Sequence, residues 1–435
     1  MQFSAEPRPS RPSLRRSARI LRTVAVTAAV ATAALGLAAC SGGGSGGSGS
    51  GSSKTITVWS YFSAAETAQR GLMSTYAKTF EKNHPGYTVD NVYVPYDQIQ
   101  QKTINAARAH KGPDIVVFNG AEAGTYALGD TLLPIDKYLS KFKDASQISK
   151  SVIHKVDGTT YAVQGYVNLL GLWYNADLMK KVGISAPPTS MSELEADMAK
   201  AKAAGYAGIT VCGLPQGQGE WQAYPWLTDA GFSYKNPSAA DLTKAFTTVQ
   251  NWVNKGWLSK EAVTWDQTVP FQKWEAGGTL FAENGNWQIG GAKTDAKFQY
   301  GVAPLPLGAH GKTYLGGEGQ GIGKYSKNPD MAWKYLAETF LSKQGQLDSL
   351  KAVGSIPSRA DAAADPSIAS DPMLKPFADS IKEFGANYPD DAVKPASIAD
   401  LQLAVGQTWS GVIGGTTSPK DAADQLAAKL KGYVN

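Results

Sequence analysis

The sequence predicts an α/β protein built as two lobes joined by a hinge. Three observations carry this expectation. At 435 residues, with 43% hydrophobic and 18% charged side chains, the chain is globular and longer than one ordinary core supports. Short apolar strands and amphipathic helices alternate along it, on both sides of one central stretch. That stretch, Tyr161–Asp177 (YAVQGYVNLLGLWYNAD), has the β-branched, aromatic and leucine content of a buried strand pair. Gly165 and Gly171 interrupt it, where bends or close backbone approach are expected. One α/β unit precedes the stretch and a second begins after it, so it reads as the crossing between lobes.

Residues 1–39 read as an export signal. Six arginines, Arg8 to Arg22, precede the Ala-rich apolar run Val24–Ala39, which is short for a spanning helix. The run ends Leu37-Ala-Ala-Cys40, which resembles the lipobox of bacterial lipoproteins. That resemblance implies cleavage before Cys40 and a thioether lipid on its sulfur, a stable membrane anchor. Removing the six arginines and one glutamate of residues 1–39 leaves 36 basic and 36 acidic side chains. A balanced mature chain gives no reason to expect nucleic acid as a partner. Residues 40–53 are Cys40 followed by almost pure Gly and Ser, a flexible tether spanning roughly 20 Å. Its Gly43-x-Ser45-x-Gly47 has no flanking strand or helix and carries no nucleophile-elbow meaning.

The first unit opens with a strand at Thr55–Trp59. A capping box, Ser63-x-x-Glu66, starts a helix striped by Leu72, Met73, Tyr76 and Phe80, which Asn83-His-Pro-Gly86 stops. A strand (Tyr87–Val94), a helix (Ile99–Ala109) and a strand (Asp114–Phe118) follow. Such spacing predicts a parallel sheet with right-handed crossovers and ligands at the carboxyl ends of its strands. The loops after Ser60-Tyr61 and Asn119–Glu122 fit that position. After the crossing, Ser190-x-x-Glu193 caps a helix ending at Gly205, and Ala207–Val211 is a strand. A Gly-rich loop, Gly213–Trp221, opens another helix. Leu242–Asn254 is helical, Thr279–Ala282 is a strand, and Glu283–Trp287 is a turn. Tyr300–Pro304 is a strand. Leu315–Gly323 alternates glycine with larger residues, which bares one face of a strand to a close neighbour or a ligand. The spacing is not that of a dinucleotide fingerprint. The tail reads as short helices ending at Pro419–Leu430.

Several of these segments resemble one family. They are Tyr161-Ala-Val with Leu172-Trp-Tyr-Asn-Ala-Asp177, Pro113-Asp-Ile115, Phe281-x-x-Asn-Gly-x-Trp287, Asn328-Pro329 with Trp333, and Gly354-x-x-Pro-Ser-Arg359. Together they resemble extracellular solute-binding proteins of carbohydrate ABC importers, the maltose-binding-protein-like family, over nearly the whole mature chain. The resemblance implies a two-lobed periplasmic-binding-protein-like fold with a ligand cleft between the lobes. It places 54–167 and 299–352 in one lobe and 168–298 and 353–435 in the other. It implies a monomeric, lipid-anchored, extracytoplasmic receptor that hands a mono- or oligosaccharide to ABC transporter permease subunits. It implies no cofactor, no metal and no catalysis. Asn168 stands where some malto-oligosaccharide binders hold a carboxylate, so the class is implied and the sugar is left open.

Aromatic faces stack on pyranose rings while polar groups orient hydroxyls. Trp221 and Trp287, each in a Gly-rich loop beside a strand end, are the leading platforms, with Trp265 behind them. Trp252, Trp257, Trp274 and Trp333 sit at helical positions and read as core. Ser60, Tyr61, Asn119, Glu122, Asn168, Glu318 and Arg359 are the polar candidates, Arg359 being equally suited to pairing a carboxylate across the hinge. The four histidines have no metal-ligand spacing, and Cys212 after an apolar strand reads as an inert buried thiol. Two alternatives stand beside the receptor reading. One is a surface glycosidase using a pair such as Glu122 and Glu318. The other is a receptor for a non-sugar solute, which if charged would want an opposite-charge cluster that the sequence lacks.

Overall fold

Of fourteen strands, in a computed structural model that describes residues 54–62 and 67–435, ten build two main sheets and four pair as two short ribbons. The export signal, Cys40, the tether and the Ser63–Glu66 capping box lie outside the described residues. In chain order the strands are β1 (Thr55–Ser60), β2 (Thr88–Tyr93), β3 (Ile115–Asn119), β4 (Ile153–Val156), β5 (Thr159–Gln164), β6 (Tyr166–Val167) and β7 (Leu170–Asn175). Then come β8 (Ala207–Thr210), β9 (Thr279–Gly285), β10 (Tyr300–Ala303), β11 (Thr313–Leu315), β12 (Glu318–Ile322), β13 (Ile356–Pro357) and β14 (Gly385–Asn387).

The first sheet runs β2-β1-β3-β12-β5-β4 and the second β10-β7-β9-β8. Within these two sheets parallel pairing is confined to β2-β1-β3 and β8-β9, and outside them β11-β14 is also parallel. The three strands expected to be parallel are parallel, but the sheet as a whole is mixed, because β12 runs antiparallel to both its neighbours and β4-β5 is a hairpin. That hairpin turns on Asp157 and Gly158, both at positive φ (49° and 79°), the geometry a two-residue hairpin loop needs. Side chains alternate across the first sheet. Ile56, Val58, Ile115 and Val117 pack with Tyr76 and Phe80 of the helix Thr67–Asn83, whereas Val116, Phe118 and Ala162 pack with Ile99 and Tyr126 on the other face. In the second sheet Leu170 and Leu172 face one core, and Trp173 and Ala282 face another with Phe271 and Phe377.

The glycine-alternating stretch does not form one strand. It breaks at Gly316–Gly317, where Gly317 has φ 134°, and β11 pairs with β14 while β12 enters the first sheet. The bared face of β12 is filled from within. A Cβ on Gly319 would meet the Phe118 ring at 3.1 Å, and one on Gly321 would meet Leu132 at 3.0 Å. β10 pairs with β7 in the second sheet, and β11 pairs with β14 in a separate two-stranded sheet. The tail also departs from expectation, since Ile398–Gly414 is one 17-residue helix packed on the helix Gly217–Asp229.

Three segments meet between the sheets: β6 with Asn168, the Gly316–Gly317 link, and β13, which pairs antiparallel with β6. Amide side chains lace them. Gln164 Nε2 donates to the Gly316 carbonyl (3.1 Å), and Gln320 Oε1 accepts from Gly165 N–H (2.8 Å). Asn286, fully buried, accepts from Leu169 N–H (2.8 Å) and donates to the Gly354 carbonyl (2.8 Å) and to Asn168 Oδ1 (3.0 Å). Arg359 is spent in the framework as well. It is 3% exposed, donates to Asp361, Asp144 and the Leu341 carbonyl, and its peptide bridges Ile148. The sequence left it either a ligand contact or a partner for a carboxylate; in the structure its guanidinium pairs with the carboxylates of Asp144 and Asp361.

Asn286→Ala strands a buried donor on one segment and a buried acceptor on another. It is expected to cost about 2–4 kcal/mol of unfolding free energy, read from chemical denaturation. Aspartate in its place should be nearly as costly, because a carboxylate cannot donate to Gly354. A loss under about 0.5 kcal/mol would show that the junction does not depend on this amide.

Candidate functional site

A cleft of about 270 Å³ opens at the junction and draws on both sheets. From the first sheet come Tyr61, just past the end of β1, Asn119 at the end of β3, and Glu318 at the start of β12. From the second come Trp287, just past β9, and Trp221 on the helix Gly217–Asp229. Asn168 lies between them. Strand ends gather here because neighbouring parallel strands leave their carboxyl-terminal loops on one edge.

Each indole is seated on a glycine. A Cβ on Gly316 would lie 1.9 Å from the Trp221 ring, and one on Gly285 would lie 1.9 Å from the Trp287 ring. Only the missing side chain lets the rings lie that close to the backbone. Trp221 stands in the helix, one turn past its start, and not in the preceding Gly-rich loop where the sequence placed it. Its ring meets Tyr388 edge-on at 4.6 Å and Tyr314 at 5.6 Å, and its Nε1 has no hydrogen-bond partner although enclosed.

Behind this wall lies Glu220, 1% exposed. Its Oε1 accepts from Tyr234 (3.0 Å) and Tyr314 (2.8 Å), while Oε2 has no partner. Burial pushes its carboxyl up to about 7, the two tyrosine hydroxyls partly opposing and Asp390 adding to the rise. Tyr314 in turn stacks on Tyr224 at 3.6 Å. In the cleft itself, Tyr61 donates to Glu318 Oε1 (2.9 Å), Oε2 is enclosed without a partner, and burial raises the carboxyl above the usual range. Asn119 caps the turn after β3 by accepting from Ala121 N–H, donates to Tyr96 (3.0 Å), and faces Tyr388 across the cleft.

Six of the ten residues singled out from sequence line this cleft: Tyr61, Asn119, Asn168, Trp221, Trp287 and Glu318. Four do not. Ser60 is 4% exposed, and its carbonyl accepts from Val94 N–H in the strand edge. Glu122 sits in the turn Gly120–Glu122, where burial lifts its carboxyl to about 7 against a hydrogen bond with Gln100. Trp265 packs in the second-lobe core with Lys273 Nζ 4.7 Å over its ring, and Arg359 is committed as described. The carboxylate pair Glu122–Glu318 is thus not assembled in the cleft. Cys212 is buried, its thiol pushed up to about 12 by burial. Sequence reasoning missed Tyr96, Tyr166, Gln267 and Tyr388. Tyr96 follows β2, so the same strand-end rule points to it. Tyr388 has no local signal, because it arrives from the tail folding back.

The raised carboxyl of Glu220 links stability to pH. Its folded value of about 7 lies above the ordinary 4.5, so the unfolded chain releases its proton first. This group's contribution therefore falls as pH rises from about 4.5 to about 7 and is level above. Glu220→Gln is expected to flatten the stability profile in that window, by at most about 1.4 kcal/mol per pH unit. An unchanged slope in thermal or urea melts across pH 5–7 would contradict the assignment.

Comparison with known proteins bears on this geometry. The family model described as bacterial extracellular solute-binding protein matches residues 75–376. A binding protein of Brucella abortus is 28% identical over 281 residues, covering 60% of this chain and 66% of that protein, so the match spans just under two thirds of the relative. The maltotriose-binding protein of Pyrococcus abyssi is 26% identical over 364 residues, covering 75% of this chain and 70% of that one. The GacH receptor of Streptomyces glaucescens, solved unliganded and with acarbose, superposes with a TM-score of 0.76 at 25% identity, covering 87% of this chain and 99% of that chain. The fold is the two-lobed, maltose-binding-like one. With two thirds of its length under the family model and the whole described body sharing that fold, the chain belongs to the bacterial extracellular solute-binding proteins, which bind substrates and are not enzymes.

Proposed function

We propose that this protein is a lipid-anchored extracytoplasmic receptor that closes its lobes over a short saccharide and delivers it to the permease of an ABC importer. The observation that carries the reading is the chemistry of the cleft wall. Of its eighteen lining residues seven are aromatic, five are amides and one is a carboxylate. Sugar rings want aromatic faces for their C–H surfaces and neutral, directional donors and acceptors for their hydroxyls. A phosphorylated or carboxylated solute would want basic side chains, and none lines the cleft among the described residues. The maltotriose-binding and acarbose-binding relatives support the same class. A volume of about 270 Å³ lies at the small end of ligand sites, which favours one or two sugar rings.

Binding energy is spent on closure. The ligand holds groups of both lobes at once, so it binds the closed form more tightly and shifts the population toward it. The anchor reading rests on the Arg-rich, Ala-rich leader ending at Cys40, and the Gly/Ser tether gives the lobes reach from the membrane.

Titration with mono- and oligosaccharides is expected to change tryptophan fluorescence, raise the melting temperature and shrink the scattering radius. Silence across the whole panel would end the receptor reading. Trp221→Ala and Trp287→Ala are each expected to weaken binding about 30-fold, or about 2 kcal/mol, with the fold kept. Cys40→Ser is expected to move the protein from the membrane to the soluble fraction of a lipoprotein-processing bacterial host. Retention at the membrane would refute the anchor.

A further inference from the structure

We propose that Glu318 makes the cleft selective for saccharides that carry a protonated amine, so that an amino sugar outbinds its neutral parent and an acidic sugar is rejected. The inference rests on the saccharide-receptor reading and goes further by naming the charge of the ligand. Glu318 is the one ionisable acid or base of the Asp, Glu, Lys, Arg and His types among the described lining residues. Its carboxylate is half satisfied. Tyr61 donates to Oε1 at 2.9 Å, the Tyr166 hydroxyl also acts on the carboxyl, and the enclosed Oε2 has no hydrogen bond of ordinary length and angle.

Among the described residues no positive charge answers it. The groups that act on this carboxyl are the hydroxyls of Tyr61 and Tyr166 and its own backbone, and none is a cation. Arg359, the basic side chain nearest in sequence to the junction segments, is consumed by Asp144 and Asp361. An enclosed carboxylate in this state resists ionisation, and burial does raise the Glu318 carboxyl above its usual range.

A neutral hydroxyl donating to Oε2 fills the missing hydrogen bond and leaves the charge unpaired. An ammonium group supplies the donor and the opposite charge together, and charge-assisted bonds of this kind are the stronger ones. The surrounding rings favour the same guest, since the electron-rich faces of Tyr61 and its edge-on neighbour Tyr96, 5.0 Å away, attract cations. An anionic sugar meets Glu318 with no basic residue to compensate.

The test is calorimetric titration of the full chain below neutral pH with matched pairs: glucose and glucosamine, galactose and galactosamine, mannose and mannosamine, cellotriose and fully deacetylated chitotriose. N-acetyl and uronic acid counterparts serve as controls. The amine member of a binding pair is expected to be tighter by about tenfold or more, with the gain lost on N-acetylation and the uronic acid failing to bind. In Glu318→Gln, shown folded by its thermal melt, the ratio within the pair is expected to fall to about one. A neutral member that binds as tightly as its amine, or a preference that survives in Glu318→Gln, overturns this inference and leaves the receptor reading standing. If no member of any pair binds and the wider neutral panel is also silent, the receptor reading falls and this inference with it.

Discussion

Buried side-chain amides hold the two lobes to one another. Where the chain passes between the sheets, β6 pairs with β13 and Asn168 bridges Gly316, but further enclosed peptide groups there lack ladder partners. Every such group needs a partner or costs free energy comparable to a lost hydrogen bond. Gln164, Asn286 and Gln320 provide those partners, each tying a backbone group of one segment to another segment. An amide suits the task because it both donates and accepts without carrying charge. The junction can therefore be dry and specific, and the cleft that opens on it inherits a defined geometry.

The cleft wall follows from that frame. Trp221 and Trp287 reach the cleft from different elements, yet both depend on a glycine that leaves backbone bare beneath the ring. Gly316 belongs to the junction link itself, so the seat of Trp221 and the path of the chain between sheets are one feature. Behind the seat, Glu220 gathers the hydroxyls of Tyr234 and Tyr314, and Tyr314 passes that order to Trp221 by contact. A buried acid is an expensive brace. It is tolerable here because its raised pKa lets it hold a proton near neutrality.

Burial thus sorts the acids of this region into different tasks. Glu220 braces tyrosines, Glu122 sits in a turn beside Gln100, and of the described acids only Glu318 lines the cleft. One carboxylate in a wall of rings and amides suits recognition of a hydroxylated or amine-bearing guest. Among the described lining residues there is no second, facing carboxylate of the kind that hydrolysis of a glycosidic bond uses.

Much of this was legible before any coordinates. Strand and helix positions follow from period-two and period-3.6 patterns, and local caps announce themselves, as Ser190 does by accepting from Glu193 N–H. Local sequence also pointed to Trp221 and Trp287, which the fold brings to the cleft, and to the crossing near Asn168, because strand ends, glycines and aromatic runs are short-range signals. What only the tertiary structure decided depends on residues far apart in the chain. The break of the glycine-rich stretch at Gly317, the mixed strand order, the capture of Arg359 by Asp144 and Asp361, the arrival of Tyr388 from the tail and the enclosure of Glu220 are all of this kind. A residue's type and neighbours state what it can do. Whether an arginine meets a ligand or a carboxylate, and whether a glutamate keeps its charge, is set by which distant groups displace water around it, and only the folded chain specifies those.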